Sequence, residues 1–360
     1  MTSQREALDY YREMRAGIDA KLAALPSSSF LRAALPKERL DAAFASADRQ
    51  VEETGGNTST LVSFPPLVLL CGRRSDTQLA ALEDDLQRVV RYSRKSANEV
   101  TQFLKVDVPQ DREWCGGLFE VAVKARLLRI PGLALELDVL LPNRREADAL
   151  VYWEGRTFSV ECTVITESDE DREAWDRFVA SQNSGQAPVM VRPGPFDAEN
   201  ARSPSPYYDT VRVYDKVYDK LAKGLDPRQS QFAPGTPSVL LLSVWSPRAP
   251  LDSYSPGVGW ALDELFADQP RKRTIAPGES GIDIALTGWI DRKAKELQAG
   301  GKLTTAQYAK DLPQIIAAPR GLGGILVFDG YLLTTARVNY NAQRACRLSH
   351  REMCVSAHAF

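Results

Sequence analysis

Histidine is nearly missing from this chain: among 360 residues only His350 and His358 occur, both close to the C-terminus. That scarcity argues against catalytic machinery built on histidine. Carboxylates, lysines, hydroxyls and a hard cation are left to carry any chemistry. Cysteine is sparse as well. Cys71, Cys115, Cys162, Cys346 and Cys354 are odd in number and irregularly spaced, with no CxxC pair. Neither a disulfide framework nor a structural zinc site is expected, and reduced thiols go with an intracellular protein. The N-terminal stretch MTSQREALDYYREMRAG lacks the apolar core of a secretory signal. No apolar run approaches the roughly 20 residues of a membrane helix. The expectation is a cytoplasmic protein with no membrane association. A dominant charge of one sign is also missing, since 45 Lys and Arg stand against 47 Asp and Glu, a net charge of −2. No global field marks a nucleic-acid binder. A local basic stripe would suffice, because salt screens charge beyond ~10 Å.

What is present is ordinary globular material, with 44% hydrophobic and 26% charged residues, enough to bury a sizeable core. The first part reads as helical. Leu8, Tyr11, Met14, Ile18 and Leu22 recur at helical spacing, and a second helix is expected over 31–51, entered near Pro36. Residues 61–71 are interrupted by Pro65 and Pro66, which suggests an edge strand or an extended connection. Residues 76–104 read as one long helix with Leu79, Leu82, Leu86, Val89 and Val90 on one face. Residues 1–110 therefore form a helical accessory region, a candidate surface for a protein partner.

The texture then changes. Residues 114–129 read as a helix that Pro131-Gly132 ends. Leu133, Leu135, Leu137, Val139 and Leu141 alternate with polar positions, as in a strand, and leave Glu136 and Asp138 on its solvated face. Strands follow over 147–153 and 157–165, and a long Pro-rich loop occupies about 167–206. Residues 207–225 return to helix, with Tyr207, Tyr208, Tyr214 and Tyr218 suited either to packing or to stacking on bases. SVLLLSV at 238–244 reads as a strand buried on both faces, 262–266 belongs to a helix, and 324–328 is a strand. Gly321-Leu322-Gly323-Gly324 precedes that strand and does not lead into a helix, so it reads as a flexible stretch and not a phosphate loop. The domain expected over 111–345 is α/β, followed by a tail over 346–360 without assigned structure.

The most informative local feature is the pair of strands around Glu154-Gly155. A two-residue turn there fixes the register, and Gly suits its second position. Trp153 then faces Arg156, Tyr152 faces Thr157, and Asp148 falls opposite Glu161. Opposed side chains in a hairpin have Cβ atoms ~5 Å apart, so two carboxylates there repel unless a cation lies between them. Mg²⁺ suits such a site, because it takes one or two carboxylates together with water and substrate phosphate. The opposite face, with Val151, Trp153, Phe158, Val160 and Val164, is free to pack on a core, and Cys162 reads as a buried structural thiol. Asp148 and Glu161 also fit a plain solvated face.

The order helix, strand, strand, strand, helix, strand over 112–245, with Glu120 in GGLFEVAVKARLL, Asp148 in EADALVYW and Glu161 in FSVECTV, resembles the PD-(D/E)XK superfamily of restriction-endonuclease-like nucleases. The resemblance implies an αβββαβ core with a mixed central sheet flanked by helices. It implies Mg²⁺ or Mn²⁺ held by Asp148, Glu161 and Glu120, and hydrolysis of phosphodiester bonds in DNA or RNA. A restriction or phage-defence setting is an analogy only. The chain departs from the family pattern at one position: where the E-x-K motif has lysine, Thr163 stands. A relocated cation could come from Lys124, one helical turn after Glu120, or from Lys216 or Lys220 on the helix after the third strand. Each of these lysines also fits a solvated helix face. Arg212, Lys216, Lys220 and Lys223 form a stripe which, with Arg271-Lys272-Arg273, would contact a nucleic-acid backbone. Thr163 leaves a second reading open, in which the fold persists as a catalytically inactive subunit that binds nucleic acid or protein.

Overall fold

Twelve α-helices and six strands are formed by residues 4–53, 64–107, 112–166, 206–244, 256–267, 286–329 and 332–358, which the computed structural model describes. Contacts divide the chain into two compact units, and the division falls inside one helix, between Val121 and Ala122. No helix among the described residues is long and apolar enough to cross a membrane.

The first unit is helical: α1 (Gln4–Ala24), α2 (Phe30–Ala34), α3 (Lys37–Glu53), α4 (Pro66–Arg73), α5 (Asp76–Tyr92) and α6 (Ala97–Thr101), followed by the start of α7 (Arg112–Leu127). Buried Ile18 and Leu22 on α1, Leu40, Phe44, Ala47 and Val51 on α3, and Leu79, Leu86 and Val89 on α5 recur three, four or seven residues apart, which is why these segments fold as amphipathic helices. The single helix expected over 31–51 is two, because Leu35 precedes Pro36 and is held out of the helical region at φ −123, ψ 66. The long helix expected over 76–104 also breaks. Ser93 is extended, and Ser96 with Glu99 forms a capping box that starts α6. The extended segment expected over 61–71 is corrected too. Pro66 occupies the first turn of α4, where a proline's missing N–H has no helical partner to lose.

Glu83 is 4% exposed, and its carboxylate accepts bonds from Ser29 Oγ (2.8 Å), Phe30 N–H (3.0 Å) and Leu31 N–H (3.1 Å). The negative charge of α5 thereby satisfies the free donors at the start of α2.

The second unit is α/β, with one six-stranded mixed sheet in the order β1 (Ala134–Leu140), β2 (Glu146–Trp153), β3 (Arg156–Ile165), β4 (Ser238–Val244), β5 (Gly324–Asp329) and β6 (Leu332–Val338). The β1–β2, β2–β3 and β5–β6 pairs are antiparallel, while β3–β4 and β4–β5 are parallel. Every residue of β4 is buried, as its unbroken apolar run requires. One face of the sheet is covered by α8 (Pro206–Leu221), α9 (Pro256–Leu265), α10 (Leu286–Ala299) and α11 (Thr305–Ala317). Val213, Tyr214, Val217, Tyr218 and Leu221 of α8 pack there with Leu240, Leu242, Ile325, Val327 and Trp289.

Tyr214 and Tyr218 are therefore core residues. Tyr218 also donates its hydroxyl to Ile315 O at 3.1 Å, so neither is available for base stacking. The side chains of Tyr207 and Tyr208 lie outside the described residues.

Helices α10 and α11, strand β6 and α12 (His350–His358) occupy segments to which the sequence reading gave no element. Gly323 and Gly324, at the entry to β5, are set by close packing. A Cβ on Gly323 would stand 2.5 Å from Leu348 Cδ1, and one on Gly324 would stand 2.9 Å from Arg337 O. Glycine is needed there because the C-terminal segment and β6 approach the backbone closely.

Candidate functional site

The turn between β2 and β3 sets the site. Glu154 and Gly155 both have positive φ, 47° and 77°, as a type I′ hairpin requires. The resulting pairs run from Trp153↔Arg156 to Ala149↔Val160, and the next position in the same register sets Asp148 against Glu161. On the other side, Leu137↔Ala149 and Val139↔Ala147 bracket Asp138 and Asp148, so these two acids also oppose one another. Three carboxylates thus stand side by side across β1, β2 and β3.

Asp138 was expected on a solvated face, and this is corrected. Its side chain is fully buried, and its backbone adopts φ 54°, a left-handed conformation uncommon for residues other than glycine. Lys124, at the end of α7 that belongs to this unit, places its ammonium 2.5 Å from Asp138 Oδ1 and 3.9 Å from Asp148 Oδ1. Asp148 is held from the other side, where its Oδ2 accepts the Cys162 N–H at 2.6 Å. Asp148 is the most accessible of the three acids, with a side chain 15% exposed.

Glu161 lies on the face that α8 covers, beside Leu240 of β4, and is 2% exposed. Lys220 of α8 donates to its Oε2 at 3.4 Å and keeps 19% of its own side chain exposed. Burial by itself would lower the pKa of Lys220. The Glu161 and Asp148 charges outweigh that effect and raise it, so the lysine is held as a cation. The row of acids is bracketed by Lys124 at one end and Lys220 at the other.

The remaining expected residues are less convergent. Thr163 is buried on β3 beside Leu242, and Lys216 and Arg212 are half-buried on α8. Lys223 is exposed on a short 3-10 turn beyond the end of α8, so the expected helical stripe comprises Arg212, Lys216 and Lys220 only. Arg271, Lys272 and Arg273 lie outside the described residues. Glu120 sits on α7 one turn before Lys124, and in the helical unit its carboxylate is 3.7 Å from Lys95 Nζ.

Among the described residues, the acidic group that could hold a metal ion draws on Asp138 and Asp148, whose oxygens lie within 4.8 Å of one another. Carboxylate oxygens are the donors hard divalent cations prefer. Asp138 is the functional candidate that the sequence reading missed. Applying the register argument to the five-residue connection 141–145, as well as to Glu154-Gly155, would have placed it opposite Asp148.

No protein-family model matches this chain, and no curated protein or solved structure matches it.

Proposed function

We propose that the protein is a metal-dependent phosphodiester hydrolase of the PD-(D/E)XK kind, acting on DNA or RNA through the acid row of β1, β2 and β3. The observation that carries this reading is the convergence of Asp138, Asp148 and Glu161 between two lysines at one place on a mixed α/β sheet. The donor set fits Mg²⁺ or Mn²⁺. Asp148 and Asp138 would hold the ion. When bound, such an ion supplies Lewis-acid charge neutralisation at a phosphodiester.

The chain's own residues supply the rest. Lys220 is cationic and partly exposed, and it takes the part of the lysine that Thr163 replaces. It offsets the charge that develops on the scissile phosphate. Glu161 holds the Lys220 ammonium in place. The Cys162 N–H and Lys124 orient Asp148 from two sides. Arg212, Lys216 and Lys223 would contact the phosphate backbone of the substrate. The left-handed backbone at Asp138 is the kind of local strain that folds keep at working sites.

One observation favours a second reading. Lys124 already neutralises Asp138 inside the protein, as expected of a subunit that binds nucleic acid or protein without cutting. The two readings separate in one experiment. Labelled duplex DNA, single-stranded DNA and RNA are incubated with the full chain in Mn²⁺, Mg²⁺ or EDTA, and both binding and cleavage are scored. Metal-dependent cleavage supports the hydrolase, and retention of nucleic acid without cleavage under any condition supports the binding subunit.

A further inference from the structure

We infer that Lys124 is a tethered counter-cation that competes with the divalent ion for Asp138 and Asp148 and so sets the metal affinity of the site. The inference rests on the metal site proposed above and concerns its regulation.

The argument is geometric. Lys124 and Asp138 are 2% and 0% exposed at the side chain, and the ammonium lies 2.5 Å from Asp138 Oδ1 and 3.9 Å from Asp148 Oδ1. The ammonium stands within reach of both acids that would hold the ion. In a buried site, like charges a few ångströms apart repel far more than they do in water. A divalent ion there meets carboxylates whose charge is already partly neutralised. It must either tolerate the ammonium or displace it along the α7 side. Lys220 does not share this role, because it engages Glu161 at the other end of the row.

The test is Mn²⁺ titration calorimetry on the full chain, with wild type, Lys124→Met and Lys124→Arg. Lys124→Met should bind Mn²⁺ at least about tenfold more tightly than wild type, whereas Lys124→Arg, which keeps the charge, should stay within about threefold of it. Equal or weaker binding by Lys124→Met, with wild type binding normally, overturns the competition and leaves the metal site standing. Absence of Mn²⁺ binding in every protein overturns both. Should Lys124→Met fail to fold, Lys124→Gln, which keeps a hydrogen-bond donor beside Asp138 without the charge, takes its place; it should bind Mn²⁺ at least about tenfold more tightly than wild type, and equal or weaker binding overturns the inference.

Discussion

Removing Asp138 or Lys124 singly should damage the α/β unit severely, and removing both should not. Lys124 and Asp138 are 2% and 0% exposed at the side chain, so solvent screening does not reduce their interaction. Deleting one partner of such a pair leaves an uncompensated buried charge, at a cost of ~3–5 kcal/mol. Replacing both with groups of similar volume is often close to neutral. For a unit of this size 1 kcal/mol moves Tm by roughly 2–4 °C, so Lys124→Met and Asp138→Asn should each lower it by ~6–20 °C. The double variant should lie within about 2 kcal/mol of wild type, a coupling of at least ~4 kcal/mol. Differential scanning calorimetry in EDTA provides the assay, with all four proteins of the cycle measured at one pH. Additivity of the two single effects to within about 0.5 kcal/mol would refute the reasoning, because residues that add so closely do not share an interaction.

Other expectations follow from the same geometry. Glu83→Ala should orphan the Phe30 and Leu31 N–H donors and destabilise the helical unit by roughly 2–6 kcal/mol, read as faster limited proteolysis and a lower urea midpoint. Glu154 sits at φ 47°, so Glu154→Asn should raise stability by about 0.5–1 kcal/mol. Loss of stability instead would mean that the turn is not type I′. Gly324→Ala would force its Cβ to 2.6 Å from Met353 Sδ and 2.9 Å from Arg337 O, at ~1–3 kcal/mol in a thermal melt.

The folded-state pKa of Lys220 is raised, so its pairing contributes fully below the ordinary lysine range and is lost as pH rises through the raised value. A Tm profile across the alkaline range should therefore fall more steeply for wild type than for Lys220→Met, and parallel profiles would count against the pair.

Much of this site was legible because a two-residue turn leaves no freedom of register. Once Glu154-Gly155 is read as the turn, Asp148 and Glu161 must oppose one another. Asp138 was hidden by the alternation of β1, which assigns it with Glu136 to a polar face. Its burial depends on Lys124 arriving from a helix and on a backbone angle of 54° that no periodicity announces. The Glu161–Lys220 pair likewise depends on α8 docking against β3, which is a tertiary event. In the fold, β4 was readable to the residue because a strand buried on both faces is written as an unbroken apolar run. Pro313 lies inside α11 and interrupts the pattern by which that helix would have been found. Pro65-Pro66 resembled a strand breaker and is in fact a helix start, a case in which the same residue permits two local structures.

The central claim is tested most directly by single-turnover cleavage of an end-labelled nucleic acid in Mn²⁺, comparing wild type with Asp148→Asn and Lys220→Met after both variants are shown to be folded. The account predicts cleavage that EDTA abolishes and that each substitution lowers by at least about 100-fold, because one removes a metal ligand and the other the cation beside the scissile phosphate. Cleavage that persists undiminished in Asp148→Asn, or no cleavage of any substrate by wild type, would contradict it.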